Sequence, residues 1–322
     1  MTKTIIRRFL IMIPQLIVLS LFIFFVAQKM PGDPFTGKIT PSTGNSKVEE
    51  ELKIKSGFYD PWYVKYKRWV GNALQGDFGD SYTQKLPVKD VIGQRAKNTF
   101  FLSLFSLIIM YAIAIPLGIN AGRYSGSAFD QGVNLYNFLA LATPGFVFYL
   151  IMLLIFGYKL GWFPTSGIIS LEASAKGGMA AVLSRFYHML LPAISYALLT
   201  TIGTIQYLRN EVVDAKSQDY VRTARAKGVP IKKVYSKHIF RNSLLPIAAF
   251  FGFQITGLLA GSIMIETIFG YQGMGSLFVD CINQRDYSVM TALVMIYGFL
   301  TLCGSLLSDI IMSIVDPRIR ID

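Results

Sequence analysis

The chain has 322 residues, of which 52% are hydrophobic and only 16% charged, with a mean hydropathy of +0.45. A soluble domain of this length needs far more charge to cover its surface, so the composition excludes one. The formal net charge of +12 points to loops rich in Lys and Arg on the cytoplasmic side of a membrane, and nucleic acid is not an expected partner.

Six apolar runs of bilayer-spanning length follow in order: 9–28, 100–119, 135–155, 189–208, 244–269 and 289–315. About 20 residues at 1.5 Å rise cross the hydrocarbon core, and backbone groups in lipid must be satisfied within their own segment. Each run is therefore predicted to be a helix. The first stands behind Lys3, Arg7 and Arg8 and ends without a small-x-small cleavage site, so it is expected to be retained as a membrane helix. Pro116, Pro144, Pro192 and Pro246 interrupt runs that are nevertheless kept whole, because neighbouring helices tolerate such prolines. Pro144-Gly145 is expected to mark a kink.

The expected fold is all-α and polytopic, with six transmembrane helices and both termini in the cytoplasm. It divides into residues 1–28, an external segment 29–97, and a core 98–322 that contains a loop at 210–241. Between Arg209 and Arg241 there are nine basic residues against three acids, which sets this loop on the cytoplasmic side. In the external segment, Ser46 and Glu49 have capping-box spacing, and Asp60-Pro61 reads as the N-cap and first turn of a helix. Trp62, Tyr66 and Trp69 share a face of that helix. Either they dock the segment on the membrane helices or they meet an external partner.

The loop has its own logic. Tyr220 to Lys227 suit a helix, and Gly228 stands where a left-handed residue would end it. Pro230 suits the start of a second helix, with Ile231, Val234, Tyr235, His238 and Ile239 on one face. The product is a basic corner at the membrane surface. Two readings stay open from the residues alone: a helix that touches anionic lipid, or a projection that enters a groove on a soluble partner.

Elsewhere, chemistry-bearing residues are sparse. Cys281, Cys303, His188 and His238 are too few and too scattered for a metal or catalytic cluster, so no cofactor bound by this chain and no enzymatic role are expected. Gln206, Gln254 and Thr256 are candidates to line a polar pathway or to bond between helices. Asp309 is expected to pair or to be hydrated near an interface. A transporter driven by an ion gradient would show internal repeats or midplane carboxylates, which this sequence lacks.

The segment Thr223-Ala-Arg-Ala-Lys-Gly228, with Arg241-Asn242 and Leu244-Leu245-Pro246, resembles the cytoplasmic loop of ABC importer permeases in the peptide and nickel branch. Arg222 and Thr223 stand at the Glu and Ala positions of the general importer pattern, and the stretch after Gly228 is longer; both departures resemble that branch. Met30-Pro31-Gly32-Asp33-Pro34, Gly76-Asp77-Phe78-Gly79-Asp80-Ser81, Gly161-Trp162-Phe163-Pro164, Glu266-Thr267-Ile268-Phe269-Gly270, Arg285-Asp286-Tyr287 and Asp316-Pro317-Arg318-Ile319-Arg320 are similar to the B-type subunit of oligopeptide permeases. The resemblance implies a second homologous permease chain, two ATPase subunits that bind ATP and Mg, and an extracytoplasmic peptide-binding protein or lipoprotein. It also implies that Arg222, Thr223, Ala224, Arg225, Ala226, Lys227 and Gly228 couple this chain to an ATPase. No G-x-x-x-x-G-K-S/T phosphate loop occurs in the chain itself. Dipeptides, nickel or another small solute remain alternative cargoes.

Overall fold

A computed structural model describes residues 2–29, 54, 59–243, 247, 251–252, 254, 256–257 and 263–315. The Met30–Pro34 and Asp316–Arg320 motifs, the Ser46/Glu49 box and Leu244–Pro246 lie outside these residues, as does the side chain of His238. In chain order the helices are α1 (Thr2–Lys29), α2 (Trp62–Leu74), α3 (Val88–Arg123), α4 (Ala128–Ala142), α5 (Gly145–Met152, running on as a π-helix over Leu153–Lys159), α6 (Leu171–Lys176), α7 (Gly178–Ser217) and α8 (Asp219–Ala226). They continue as α9 (Ile231–Lys233, followed by a π-helical stretch Val234–Ile239), α10 (Phe240–Ser243), α11 (Ile263–Ile268), α12 (Met274–Gln284) and α13 (Tyr287–Val315).

Among the described residues, α1, α3, α7 and α13 are each long and apolar enough to cross a membrane, and the bent pair α4–α5 makes a fifth if taken as one span. The chain is a multi-pass membrane protein. At 36 and 40 residues, α3 and α7 are roughly 54 and 60 Å long at 1.5 Å per residue, about twice the hydrocarbon thickness. They therefore project into water. Residues 88–97, placed by the sequence in the external segment, are the first turns of α3.

α3 and α7 run parallel. Leu102 shares a cluster with Met189 and Ala193 near their beginnings, while Gly118 meets Ile205 and Leu208, and Gly122 meets Arg209 and Val212, near their ends. Parallel neighbours require the connection between them to return across the bundle, and α4–α5 makes that return. This is where the sequence expectation of one kinked run at 135–155 is corrected. α4 stops at Ala142, Thr143 is extended (φ −90°, ψ 120°), and the two helices meet at 103°. A residue before proline disfavours the helical region, and here that preference ends the helix. By contrast, α3 and α7 continue through Pro116 and Pro192.

The α3–α7 contact is built on small residues at four-residue spacing, Ala114, Gly118 and Gly122. A Cβ on Gly118 would sit 2.7 Å from the Leu208 Cβ and 2.9 Å from the Ile205 carbonyl oxygen; one on Gly122 would sit 2.7 Å from the Arg209 carbonyl oxygen. Small residues let membrane helices approach closely enough for dispersion between backbones to hold them. On the other side, α1 packs antiparallel on α13, with Leu19 seated against Gly298 and Arg8 Nε 3.1 Å from Asp309 Oδ2. Asp309 is thus ion-paired. The start of α1 and the end of α13 lie at the same end of the bundle as the end of α7.

Replacing Gly118 with Val should force the helices apart and cost about 1–3 kcal/mol of stability. The purified protein should melt at a lower temperature, whereas Gly203→Ala, which points into open space, should leave the melting curve in place.

Candidate functional site

The basic corner grows directly from the end of α7. Gln218 is extended (φ −71°, ψ 146°) and starts α8, with Asp219 in its first turn and Arg225 in its last, an arrangement that complements the helix dipole. Gly228 has φ +73°, its N–H donates to the Arg225 carbonyl at 2.9 Å, and the Val229 N–H donates to the Ala224 carbonyl at 3.1 Å. These two bonds form a Schellman motif, which needs a residue at ease in the left-handed region. Val229 completes it by packing on the cluster that contains Ala224.

Inward-facing Val221 and Ala224 meet Val212, Ala215, Val234 and Ile239. Arg222, Thr223, Arg225, Ala226, Lys227 and Gly228 are all exposed. Of the seven residues predicted to act at the corner, only Ala224 faces the core, and its role there is to seat the corner. The second arm keeps the predicted face at Val234, Tyr235 and Ile239 and departs from it at Ile231. Ile231 is 58% exposed, while Val234 and Ile239 are buried. They stand five residues apart, which is the separation a π-helix places on one side.

The base of the corner is tied to the turn between α3 and α4. Arg209 Nε and Nη2 donate to Asp130 Oδ1 and Oδ2 at 2.6 and 2.8 Å, and Asp130 also accepts from the Gly126 N–H and the Asn134 side chain. Lys216 Nζ donates to the Arg123 carbonyl at 2.8 Å and to Ser125 Oγ at 3.1 Å. The Arg123 guanidinium lies 4.9 Å from the Tyr235 ring centre, a cation–π contact from α3 to the second arm. These ties join residues far apart in the sequence, and the positive-inside pattern carries no sign of them.

At the opposite end of the bundle, two buried carboxylates organise the short motifs. Glu266, fully buried, accepts from Thr99 Oγ1 at 2.7 Å and from the Ser276 N–H at 3.0 Å. Thr99 Oγ1 in turn accepts from the Met274 N–H at 2.8 Å. A Cβ at Gly273 would stand 2.4 Å from the Glu266 carboxylate, so a larger residue there would displace that carboxylate from its hydrogen bonds. Asp286 accepts from Ser81 Oγ at 2.5 Å and from the Thr83 N–H at 3.1 Å, which joins the Gly76–Ser81 turn to the start of α13. Sequence reasoning recognised these motifs without seeing that they are hydrogen-bonded knots. Buried Cys281 belongs to the same end, where burial pushes its thiol up to about 12.

The three pathway candidates separate. Gln254 accepts a hydrogen bond from the Tyr111 hydroxyl and lines a cavity of about 270 Å³ with Ser106, Leu107, Met110, Tyr196 and Thr200. Thr256 is buried, donates to the Gly252 carbonyl at 3.0 Å and packs against Gly304 of α13, as a helix-packing residue does. Gln206 is exposed on α7 and does not reach the cavity. Among the described residues, no group of three or more His, Cys, Asp or Glu could hold a metal ion.

A bundle of long apolar helices with a rigid cationic corner at one end and sealed polar knots at the other defines a membrane translocation subunit. The model of the family described as binding-protein-dependent transport system inner membrane component matches residues 114–321. The oligopeptide transport system permease protein AppB of Bacillus subtilis (strain 168) is 40% identical over 321 residues, 99% of this chain and 100% of that one. OppB, the oligopeptide transport system permease protein of Haemophilus influenzae, is 32% identical over 325 residues, covering 99% and 100%. The glutathione transport system permease protein GsiC of Escherichia coli O1:K1 / APEC is 30% identical over 320 residues, covering 99% of each. An inward-facing structure of the MetNI methionine ABC transporter shares the fold, with a TM-score of 0.50, 14% identity, and coverage of 70% of this chain and 96% of that one. The chain belongs to the binding-protein-dependent transport system inner membrane components, in the peptide and nickel uptake branch of the ABC importers. It is a non-catalytic permease subunit.

Glu266→Ala should leave the Thr99 hydroxyl and the Ser276 N–H without their acceptor, at about 1–3 kcal/mol for each buried group. Thermal unfolding of the purified protein should shift down strongly for this variant and less for Glu266→Gln, which keeps one acceptor oxygen and the side-chain volume.

Proposed function

We propose that this chain forms, with a second homologous permease, the pathway of an oligopeptide importer of the bacterial cell membrane. In this reading the chain crosses the membrane six times with both termini in the cytoplasm. Two ATPase subunits bind ATP and Mg, and an extracytoplasmic peptide-binding protein or lipoprotein delivers the cargo. The corner Arg222–Gly228 enters a groove on one ATPase subunit. Its role is mechanical coupling with electrostatic support.

The observation that carries the coupling role is the shape of the corner. Six of its seven residues are exposed, yet the turn is locked by two backbone hydrogen bonds and an apolar plug. A helix that only touches lipid headgroups needs no such projection. The corner is also continuous with α7, separated from it by Gln218 alone, so a displacement applied at Arg222–Lys227 would pass into the α3–α7 pair. Peptide cargo is supported by the names of the two oligopeptide permeases above, with dipeptides, glutathione or nickel as the alternatives within the same architecture. Of the pathway candidates, Gln254 retains that assignment here, because it lines the cavity; Gln206 and Thr256 are better explained by exposure and helix packing.

The test is Gly228→Val in the reconstituted complex. Nothing lies within 4 Å of a Cβ at this position, so the penalty comes from the left-handed backbone alone, roughly 1–2 kcal/mol. Membrane insertion should be unchanged while peptide uptake falls roughly tenfold or more. Undiminished uptake would refute the coupling role. Competition by unlabelled oligopeptides, dipeptides and nickel salts in the same assay would settle the cargo.

A further inference from the structure

α2 has a wider apolar arc than α1 covers. At about 100° per residue, Trp62, Tyr66, Trp69 and Ala73 fall in one sector and Tyr63, Val70 and Leu74 in the next. The first sector docks on α1 through Tyr66 and Trp69, while Trp62 stays 54% exposed. Tyr66 Oη lies 2.7 Å from Ser20 Oγ, and the Phe24 ring centre is 5.4 Å from Tyr66 and 6.0 Å from Trp69. The second sector is left open, with Tyr63 59% and Leu74 84% exposed. Lys67 borders it, and the remaining basic residues of α2 lie on the far side, where Arg68 Nη2 pairs with Asp60 at 2.6 Å. Asp60 is therefore an ion-pair partner and not the helix cap that its position before Pro61 suggests, and α2 begins one residue later, after Pro61.

The depth of the docking decides what the open stripe meets. Ser20 lies six residues inside Val26, the end of the apolar span Ile6–Val26. That is about 9 Å below the end of the span, within the range at which amphipathic helices rest in the boundary between headgroups and acyl chains. Beside it on α1, Ile17 and Leu21 are 52% and 38% exposed, so the stripe on α2 continues an apolar surface that already faces lipid. We infer that α2 lies in the plane of the bilayer at the C-terminal end of α1, with Tyr63, Val70 and Leu74 among the lipids and Lys67 at the phosphate groups. The chemistry of the partner is a phospholipid surface. Tyrosine, tryptophan and lysine at such a boundary are what that surface favours.

The experiment places nitroxide labels at Tyr63→Cys, Leu74→Cys and, on the polar face, Asn72→Cys. The wild-type chain, labelled in parallel, supplies the signal of Cys281 and Cys303 for subtraction. The permease is reconstituted with its co-purifying subunits in nanodiscs of equal phosphatidylglycerol and phosphatidylethanolamine. Relaxation by oxygen should exceed relaxation by an aqueous nickel chelate several-fold at positions 63 and 74, with the reverse at 72. Equal access of the chelate to all three positions would overturn the inference. So would shielding of 63 and 74 that arises only when the extracytoplasmic binding protein is added, since the stripe would then be a protein-docking face. Should Tyr63→Cys fail to assemble, Leu74→Cys decides alone, because that side chain stands almost fully exposed.

Discussion

Between Gly118 and Leu208, and again between Gly122 and Arg209, the backbones of α3 and α7 come so close that not even a methyl group fits. Two helices at that distance cannot slide past each other without opening voids along both. They behave as one rigid rod, and this sets the positions of the other elements. Because the two helices run parallel, the chain must return between them, and it does so through the α4–α5 bend. The same parallel arrangement brings the end of α7 out beside the ends of α3 and α4, which brace the basic corner it carries.

The corner is fastened to this rod by charges and by packing. The Asp130 carboxylate takes both faces of the Arg209 fork, and Lys216 reaches across to the end of α3. A bidentate guanidinium–carboxylate pair fixes orientation as well as distance. At the other end of the rod, Thr99 of α3 and Glu266 of α11 tie the first turns to α12. The proposed coupling role thus falls on an element that packing and hydrogen bonds hold in place.

Much of this was legible in the sequence where a single residue dictates local geometry. Gly228 announces the left-handed turn because few other residues adopt it, and the apolar runs announce spans because lipid leaves no other option. Angles and distant pairings were not legible. Proline at 116, 144 and 192 looks alike in the sequence, yet only Thr143-Pro144-Gly145 breaks its helix, where Gly145 comes up against Leu199 of α7. Val234 and Ile239 kept to the predicted buried face, five residues apart in a π-helical stretch, while Ile231 ahead of it stands exposed, a difference within the face that an α-helical wheel does not show. Glu266 and Asp286 sat inside recognised motifs, but their partners Thr99 and Ser81 lie 167 and 205 residues away.

The central claim is that the exposed corner is the point of contact with the ATPase subunits. A photo-crosslinker attached at Lys227→Cys in intact cells tests it most directly. The account predicts an adduct with an ATPase subunit and no labelling of the same cysteine by a membrane-impermeant reagent added outside. Labelling from outside, or an adduct only with lipid or with the extracytoplasmic binding protein, would contradict it.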